Sequence, residues 1–373
     1  GGTQSGQNVV ASSVAAGRDV TIKATGDGDA SNLNVVGSTI DAGRNVSLDA
    51  DGSINLISAQ NTANQEGKNS NSGWSAGVGF GIGQQNGFTI ELAANKGRGS
   101  SEGEAITHAN TLINAGEKVA LNSGGDTNLK GAVVTAKQVT AEVGGDLNLA
   151  SQQDIDNYKS KQQNAGVGVS LCIPPICGGV STVSGSVSQQ KIKSEYASVG
   201  QQTGIKAGDN GFQIKVGGNT DLKGAIIASN DKAVADGKNS LTTGTLTHSD
   251  IENKAEYKGT SISLSGSYST AAHDKAGNVI KDKDGKPVQE AAGNAGTPIA
   301  LSASGKEKST TQSGISAGVI TITDAAKQQE LTGQTAEQAV ADVNRDVSSD
   351  RDGSNTLKPI FDRKEIEASF EIT

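Results

Sequence analysis

The stretch that decides the fold is AGRNVSLDADGSINLISA, residues 42–59, together with its second appearance as AGEKVALNSGGDTNLKGA, residues 115–132. Gly43 aligns with Gly116, Val46 with Val119, Leu48 with Leu121, Gly52 with Gly125 and Leu56 with Leu129, all at an offset of 73. An earlier copy, AGRDVTIKA, starts at Ala16. A shorter offset of 20 relates GGDTNL at Gly124 to GGDLNL at Gly144, and one of 93 relates GGDTNLKGAVVTA at Gly124 to GGNTDLKGAIIAS at Gly217. Inside each unit the apolar residues alternate, as in Val46 and Leu48, Ile54 and Leu56, or Leu147 and Leu149. A period of two is the mark of a strand with one face inward. These strands are short and bounded by Gly-Gly-Asp or Ala-Gly-Arg corners, and two-residue hairpin signals are mostly missing between them. A repeating unit of about 20 residues built this way reads as one coil of a parallel β-helix, stacked on its neighbours at about 4.8 Å. The expected class is therefore all-β, a right-handed parallel β-helix.

Three long segments interrupt the repeats, at about 61–110, 154–199 and 253–314. Each alternates small with apolar residues: WSAGVGFGIG from Trp74, NAGVGVSL from Asn164 and TSISLSGSYS from Thr260. They read as β-hairpins that leave the helix and fold against its side, with Trp74 packed on the β-helix face. AAHDKAGNVIKDKDGKPVQE reads as an exposed turn extension within the third. From about residue 324 the composition turns helical. Gly333 supplies a stop, and Thr335 with Gln338 a capping box. The domain reading is a β-helix over 1–323 and a helical cap or linker over 324–373. Subtracting inserts and tail leaves about 9–10 coils, a rod of roughly 45 Å.

Composition agrees with a narrow core. Hydrophobic residues are 34% and aromatic ones 3%, too few to fill a wide globular interior, while the 50 glycines supply corners. A formal net charge of −8 without a basic stripe argues against nucleic acid as a partner. Lys and Arg are dispersed along the chain. No run of about 20 apolar residues occurs, so no membrane-spanning helix is expected. The chain has no Met and reads as a piece of a longer protein. Cys172 and Cys177, flanking Pro174-Pro175, form a disulfide if the chain is exported; two free thiols are the alternative.

Catalytic signals are weak. Asp126, Asp146 and Asp221 recur at corners, where Asx turns to nearby backbone account for them better than a pair of glycosidase carboxylates. His108 and His248 lie in similar THAN and THSD contexts and read as repeated structural positions, and His273 stands alone. No metal-ligand spacing and no cofactor motif is present, so no catalytic residue, metal or cofactor is expected. The candidate interaction surface is the set of Gly-rich inserts, with Trp74, Phe80 and Phe88.

The coils AGRNVSLDADGSINL and AGEKVALNSGGDTNL resemble the haemagglutinin repeats of two-partner-secreted proteins. GWSAGVGFGIG, DNYKSKQQNAGVGVSLCIPPICGG and SEYASVGQQTGIKAG resemble the second filamentous-haemagglutinin repeat region. The tail from TITDAAKQQELTG to PIFDRKEIEASFEIT is similar to the segment ahead of the pretoxin region in CdiA proteins, the effectors of contact-dependent growth inhibition. The resemblance implies export to the bacterial cell surface through an outer-membrane partner transporter, recognised by an N-terminal part outside this chain. It also implies contact with a target-cell outer membrane or surface receptor, and delivery of a C-terminal toxin. No VENN motif occurs before Thr373, so the toxin is expected to lie outside the chain. On this reading the segment is structural, non-enzymatic and concerned with delivery. The alternatives are an adhesin rod that binds host cells or glycans and, more remotely, a polysaccharide-degrading β-helix.

Overall fold

A computed structural model describes residues 1–7 and 12–371; Ile372 and Thr373, at the end of the tail quoted above, lie outside the described residues. The described residues form two separate sheets: one parallel and coiled, the other antiparallel and built mainly from very long strands.

The parallel sheet is a three-sided β-helix. Each coil but the last supplies one strand per side, as with Thr39–Ala42, Asn45–Ala50 and Ile54–Ile57. The second side stacks in register: Val20 on Val46, Val46 on Val119, Val119 on Val139, Val139 on Phe212, then Ile214 on Leu241 and Leu241 on Ile320. The inward residues Leu48, Ile54, Leu56, Leu121, Leu129, Leu147, Leu149 and Ile214 have essentially no exposure and form one continuous core. This all-β parallel helix is the class expected from the repeats.

The offsets now have a geometric meaning. An offset of 20 separates neighbouring coils in direct succession, and an offset of 73 separates neighbouring coils with a hairpin inserted between them. Both therefore describe the same step up the stack. Seven strands stack on the second side among the described residues, not the 9–10 coils expected. Some coils are longer than 20 residues, as the Val20–Val46 and Ile214–Leu241 pairs show, so fewer fit. Six steps of about 4.8 Å give a rod of about 29 Å.

Corner glycines follow from that stacking. A Cβ on Gly43 would collide with the carbonyl of Gly17, one on Gly116 with that of Gly43, and one on Gly144 with that of Gly124. Backbones this close leave no room for a side chain. Outward polar residues are paid for in kind along the stack: Asn55 donates to Asn34 at 2.8 Å, Asn128 to Asn55 at 2.8 Å and Asn148 to Asn128 at 2.9 Å. The corner aspartates join the same scheme. Asp126 accepts from the Asp146 backbone N–H at 2.8 Å, and Asp146 from that of Asn219 at 2.7 Å. They bond to the next coil rather than closing Asx turns on their own. Asp221 does not share their corner; it lies within a strand, paired with Asn148, and accepts from the Thr247 hydroxyl at 2.7 Å.

The first helix, α1, is the short Asp231–Ala235; the last coil lacks a third strand, and the second helix, α2 (Ala325–Thr332), takes its place. Gln328 is fully buried; its Oε1 accepts from the Leu246 N–H at 2.7 Å and its Nε2 donates to the Leu246 carbonyl at 2.9 Å. One side chain thus satisfies both backbone groups that an absent strand would have paired. Thr335 and Gln338 form the expected capping box on α3 (Ala336–Asp342). Beyond α3, Arg345 donates to the carbonyls of Ile315 and Gly318, closing the end of the stack.

Two substitutions separate these contributions in urea unfolding. Leu121→Ala removes a fully buried core side chain and is expected to cost about 2–5 kcal/mol. Gln328→Ala leaves the buried Leu246 amide unpaired and is expected to cost about 1–3 kcal/mol. No loss in either would contradict the core and the cap described.

Candidate interaction surface

The three inserts are hairpins, but they do not fold back on the helix. Their strands are Ala59–Gly81 with Gln85–Ala109, Gln153–Leu171 with Thr182–Val199, and Ile251–Ser269 with Ile299–Thr311. Each leaves after the third strand of a coil, from every second coil: after Ile54–Ile57, after Leu147–Ala150 and after Ser240–Ser249. Neighbouring hairpins then pair with one another, Gln85–Ala109 against Gln153–Leu171 and Thr182–Val199 against Ile251–Ser269. The result is one antiparallel sheet whose long hairpin strands, at roughly 3.3 Å per residue, run about 40–80 Å. At the root of its first edge, Gly2–Gln7 pairs with Thr62–Gly67.

Residues directly opposite in an antiparallel pair share a face. In the half of the sheet towards the tips, Trp74 stands opposite Ala94, Ala94 opposite Val167, Val167 opposite Gly185 and Gly185 opposite Gly266. One row towards the tip, Ala76, Leu92, Val169, Val183 and Tyr268 align; further rows hold Val78 with Ile90 and Phe80 with Phe88. One row the other way, Ala165, Val187 and Leu264 align. All of these lie on one face. The opposite face of the same strands reads Ser75, Ala93, Gly168, Ser184 and Ser267 in one row, and Asn71, Gly97, Asn164, Ser188 and Ser263 in another. The sheet has an apolar face and a small-polar face.

Nothing covers the apolar face among the described residues. Trp74 is 82% exposed, Val78 73% and Phe80 65%, and Phe88, Val167, Val187, Leu264 and Tyr268 are exposed too. Trp74 therefore does not anchor the insert on the β-helix. It stands far out on the first hairpin, towards the Gly81 end of its strand, in line with Ala94 and Val167. Phe80 and Phe88 meet edge to face at 5.2 Å near the tip. The three sequence candidates thus share one surface, but most of that surface was not legible in advance. Val167, Val187, Leu264 and Tyr268 belong to other hairpins, and only inter-hairpin register brings them into line.

The small-polar face carries the C-terminal segment at its root. Phe361 stacks on Tyr158 at 5.8 Å and approaches Tyr257 at 6.0 Å, and the Arg363 guanidinium lies 4.9 Å over the Tyr158 ring. Ile366 and Phe370 of α4 (Arg363–Glu371) sit on the bare backbone of Gly259. The extended approach is fixed by hydrogen bonds from the Tyr196 hydroxyl to the Leu357 carbonyl and from the Leu357 N–H to the Ser198 hydroxyl.

Cys172 and Cys177 are disulfide-bonded and buried near the tips, where Cys177–Gly179 pairs with Gln85–Gly87 of the first hairpin. The histidines occupy three different settings. His108 lies on the strand returning from the first hairpin, with its N–H donated to Asp154 at 2.9 Å. His248 precedes the third hairpin, its Nε2 3.4 Å from Asp342, so the two are not equivalent positions. His273 pairs with Gly179 near the tips. No group of three or more potential metal ligands occurs among the described residues. The Asp154 carboxyl is pushed up by burial, partly offset by the His108 N–H. At the root of the apolar face, hydrogen bonds from Lys193 and Lys254 lower Glu195 to about 2.

A family model described as haemagglutinin repeat matches residues 2–165. A protein of Yersinia mollaretii named tRNA nuclease CdiA is 37% identical over 97% of this chain and 11% of its own length. One of Yersinia pseudotuberculosis named deoxyribonuclease CdiA is 38% identical over 95% of this chain and 30% of its own length. One of Escherichia coli named toxin CdiA is 38% identical over 95% of this chain and 11% of its own length. The chain therefore spans a minor part of these relatives. No solved structure matches it.

The raised Asp154 yields a pH test. A carboxyl whose folded pKa exceeds its unfolded value favours folding when protonated, and that advantage is lost as pH rises through the raised pKa. Asp154→Asn, which keeps an oxygen for the His108 N–H, is expected to raise Tm modestly at pH 7 and to match wild type near pH 3.

Proposed function

The chain belongs to the CdiA-type haemagglutinin-repeat proteins, and on that premise we propose that it is a non-enzymatic delivery segment whose hairpin sheet engages the outer membrane of a target bacterium. The single observation that carries this reading is the continuous, uncovered apolar face shared by three hairpins. Surface this apolar is rarely left open without a partner. From the Phe80 row to the Ser72 row the band spans eight residue steps of strand, about 25 Å, which is the height of the apolar band of outer-membrane β-structures.

The rest of the chain supports such a surface. Within residues 1–323 the β-helix, with one continuous core, is the base from which the hairpins project. Residues 324–373 cap the stack and lead, across the small-polar face, towards whatever follows in the longer protein. Export through an outer-membrane partner transporter supplies the route to the surface. The candidate acids are absorbed by the coil ladders, which supports a role without catalysis. An adhesin rod for host glycans is the alternative, and it gives the apolar face no task.

Flotation of the chain with vesicles of recipient outer-membrane lipids tests the proposal. Wild type is expected to float with the vesicles. A Trp74→Ser, Val167→Ser, Leu264→Ser variant, altered only at exposed positions or half-exposed ones, is expected to bind at least tenfold more weakly while keeping its Tm. Equal binding by both proteins, or none by wild type, would sink the reading.

A further inference from the structure

On the same face as the apolar band, towards the β-helix, the register gathers cations. Lys96 lies one row below Trp74, opposite Ser72 and Ala165, and Arg98 lies one row further, opposite Ser70 and Gln163. The next row contains Lys68, Lys161 and Lys191, aligned through Ser100. The row after that contains Lys159, Lys193 and Lys258 with the carboxylates Glu66 and Glu102. Four rows thus hold eight cations and two carboxylates, in a chain whose formal net charge is −8. All eight cations are exposed. Lys68 pairs with Glu66 and Lys193 with Glu195, whereas Lys96, Arg98, Lys161 and Lys191 have no carboxylate partner among the described residues.

We propose that this belt binds the phosphate groups of anionic lipids and fixes how deep, and which way round, the apolar face enters a bilayer. The proposal rests on the membrane-engaging reading above and adds the lipid chemistry to it. The arrangement follows the order of a bilayer: an apolar stretch whose last row already carries Lys96, then the other seven cations over the next three rows of about 7 Å each. Lys and Arg at such a border lay their carbon stems along apolar surface and present their charge at the headgroup level. Anionic headgroups attract each of them, and the attraction fades beyond a Debye length. Because the belt lies at the helix-proximal end of the band, it directs the hairpin tips into the lipid and holds the β-helix outside. The belt comes from five strands of three hairpins, so it exists only when the hairpins pair in register.

Charge complementarity makes a phosphate-bearing lipid surface the occupant, and the test separates it from free phosphate and from a purely apolar contact. The full chain and a Lys96→Gln, Arg98→Gln, Lys161→Gln, Lys191→Gln variant are mixed with two kinds of vesicle. One is phosphatidylethanolamine with phosphatidylglycerol; the other is phosphatidylcholine alone. All four side chains are exposed, and an unchanged melting curve confirms the fold of the variant. Wild type is expected to bind the anionic vesicles at least tenfold more tightly than the zwitterionic ones, and to lose that margin in high salt. The variant is expected to bind both alike, at the wild-type level for phosphatidylcholine. Inorganic phosphate is expected to release the protein no more than sodium chloride of equal ionic strength. Wild type that binds both vesicles equally, with the variant unchanged, would overturn the belt and leave the membrane reading standing. Wild type that binds neither would overturn both, and selective release by inorganic phosphate would overturn lipid as the source of the phosphate.

Discussion

The spacing between hydrogen-bonded strands, about 4.8 Å, is the constraint on which the rest of this structure depends. It sets the step of the β-helix, and it also sets the step of the hairpin sheet. A hairpin contributes two strands and leaves from every second coil, so two coils and two strands cover the same distance. The hairpins can therefore emerge side by side already at pairing distance, and they zip along nearly their whole lengths. With one hairpin per coil the inserts would be crowded, and with one per three coils they would stand apart with open edges.

That commensurate spacing turns a weak pattern into a surface. Each insert alternates apolar with small polar residues, but an isolated hairpin of this composition has too little to bury and gains little stability of its own. Pairing in register places Trp74, Ala94, Val167, Gly185 and Gly266 in one row and leaves the serines and asparagines on the reverse. The same operation divides the labour of the two faces. One is left open, bordered by cations. The other receives the C-terminal segment, where Phe361, Ile366 and Phe370 find Tyr158, Tyr257 and the bare backbone of Gly259.

The coil interior shows how little sequence a narrow core requires. Leu56, Leu129, Leu149 and Leu222 meet their own counterparts above and below, so the same few residue types recur at the same phase. The polar positions are equally repetitive. Asn34, Asn55, Asn128 and Asn148 form one ladder on the outside. Ends are the exception, because a terminal coil has no counterpart, and there the chain departs from the repeat to supply Gln328 and Arg345.

The sequence by itself determined the β-helix, its inward residues and the places where the repeat is interrupted. Those features are local: a period of two, glycine at corners, and offsets that recur because every coil meets the same neighbours. It also marked Trp74, Phe80 and Phe88 as unusual, and Cys172 with Cys177 as a pair. Only the tertiary structure decided the number of coils, the removal of Trp74 from the helix face, the bonding of Asp126 and Asp146 between coils, and the gathering of Lys96, Arg98, Lys161 and Lys191 from a chain in which they are scattered. Each of these depends on which residue of one insert or coil stands opposite which residue of another. That register is fixed by backbone pairing over tens of residues, and no single stretch of sequence contains it.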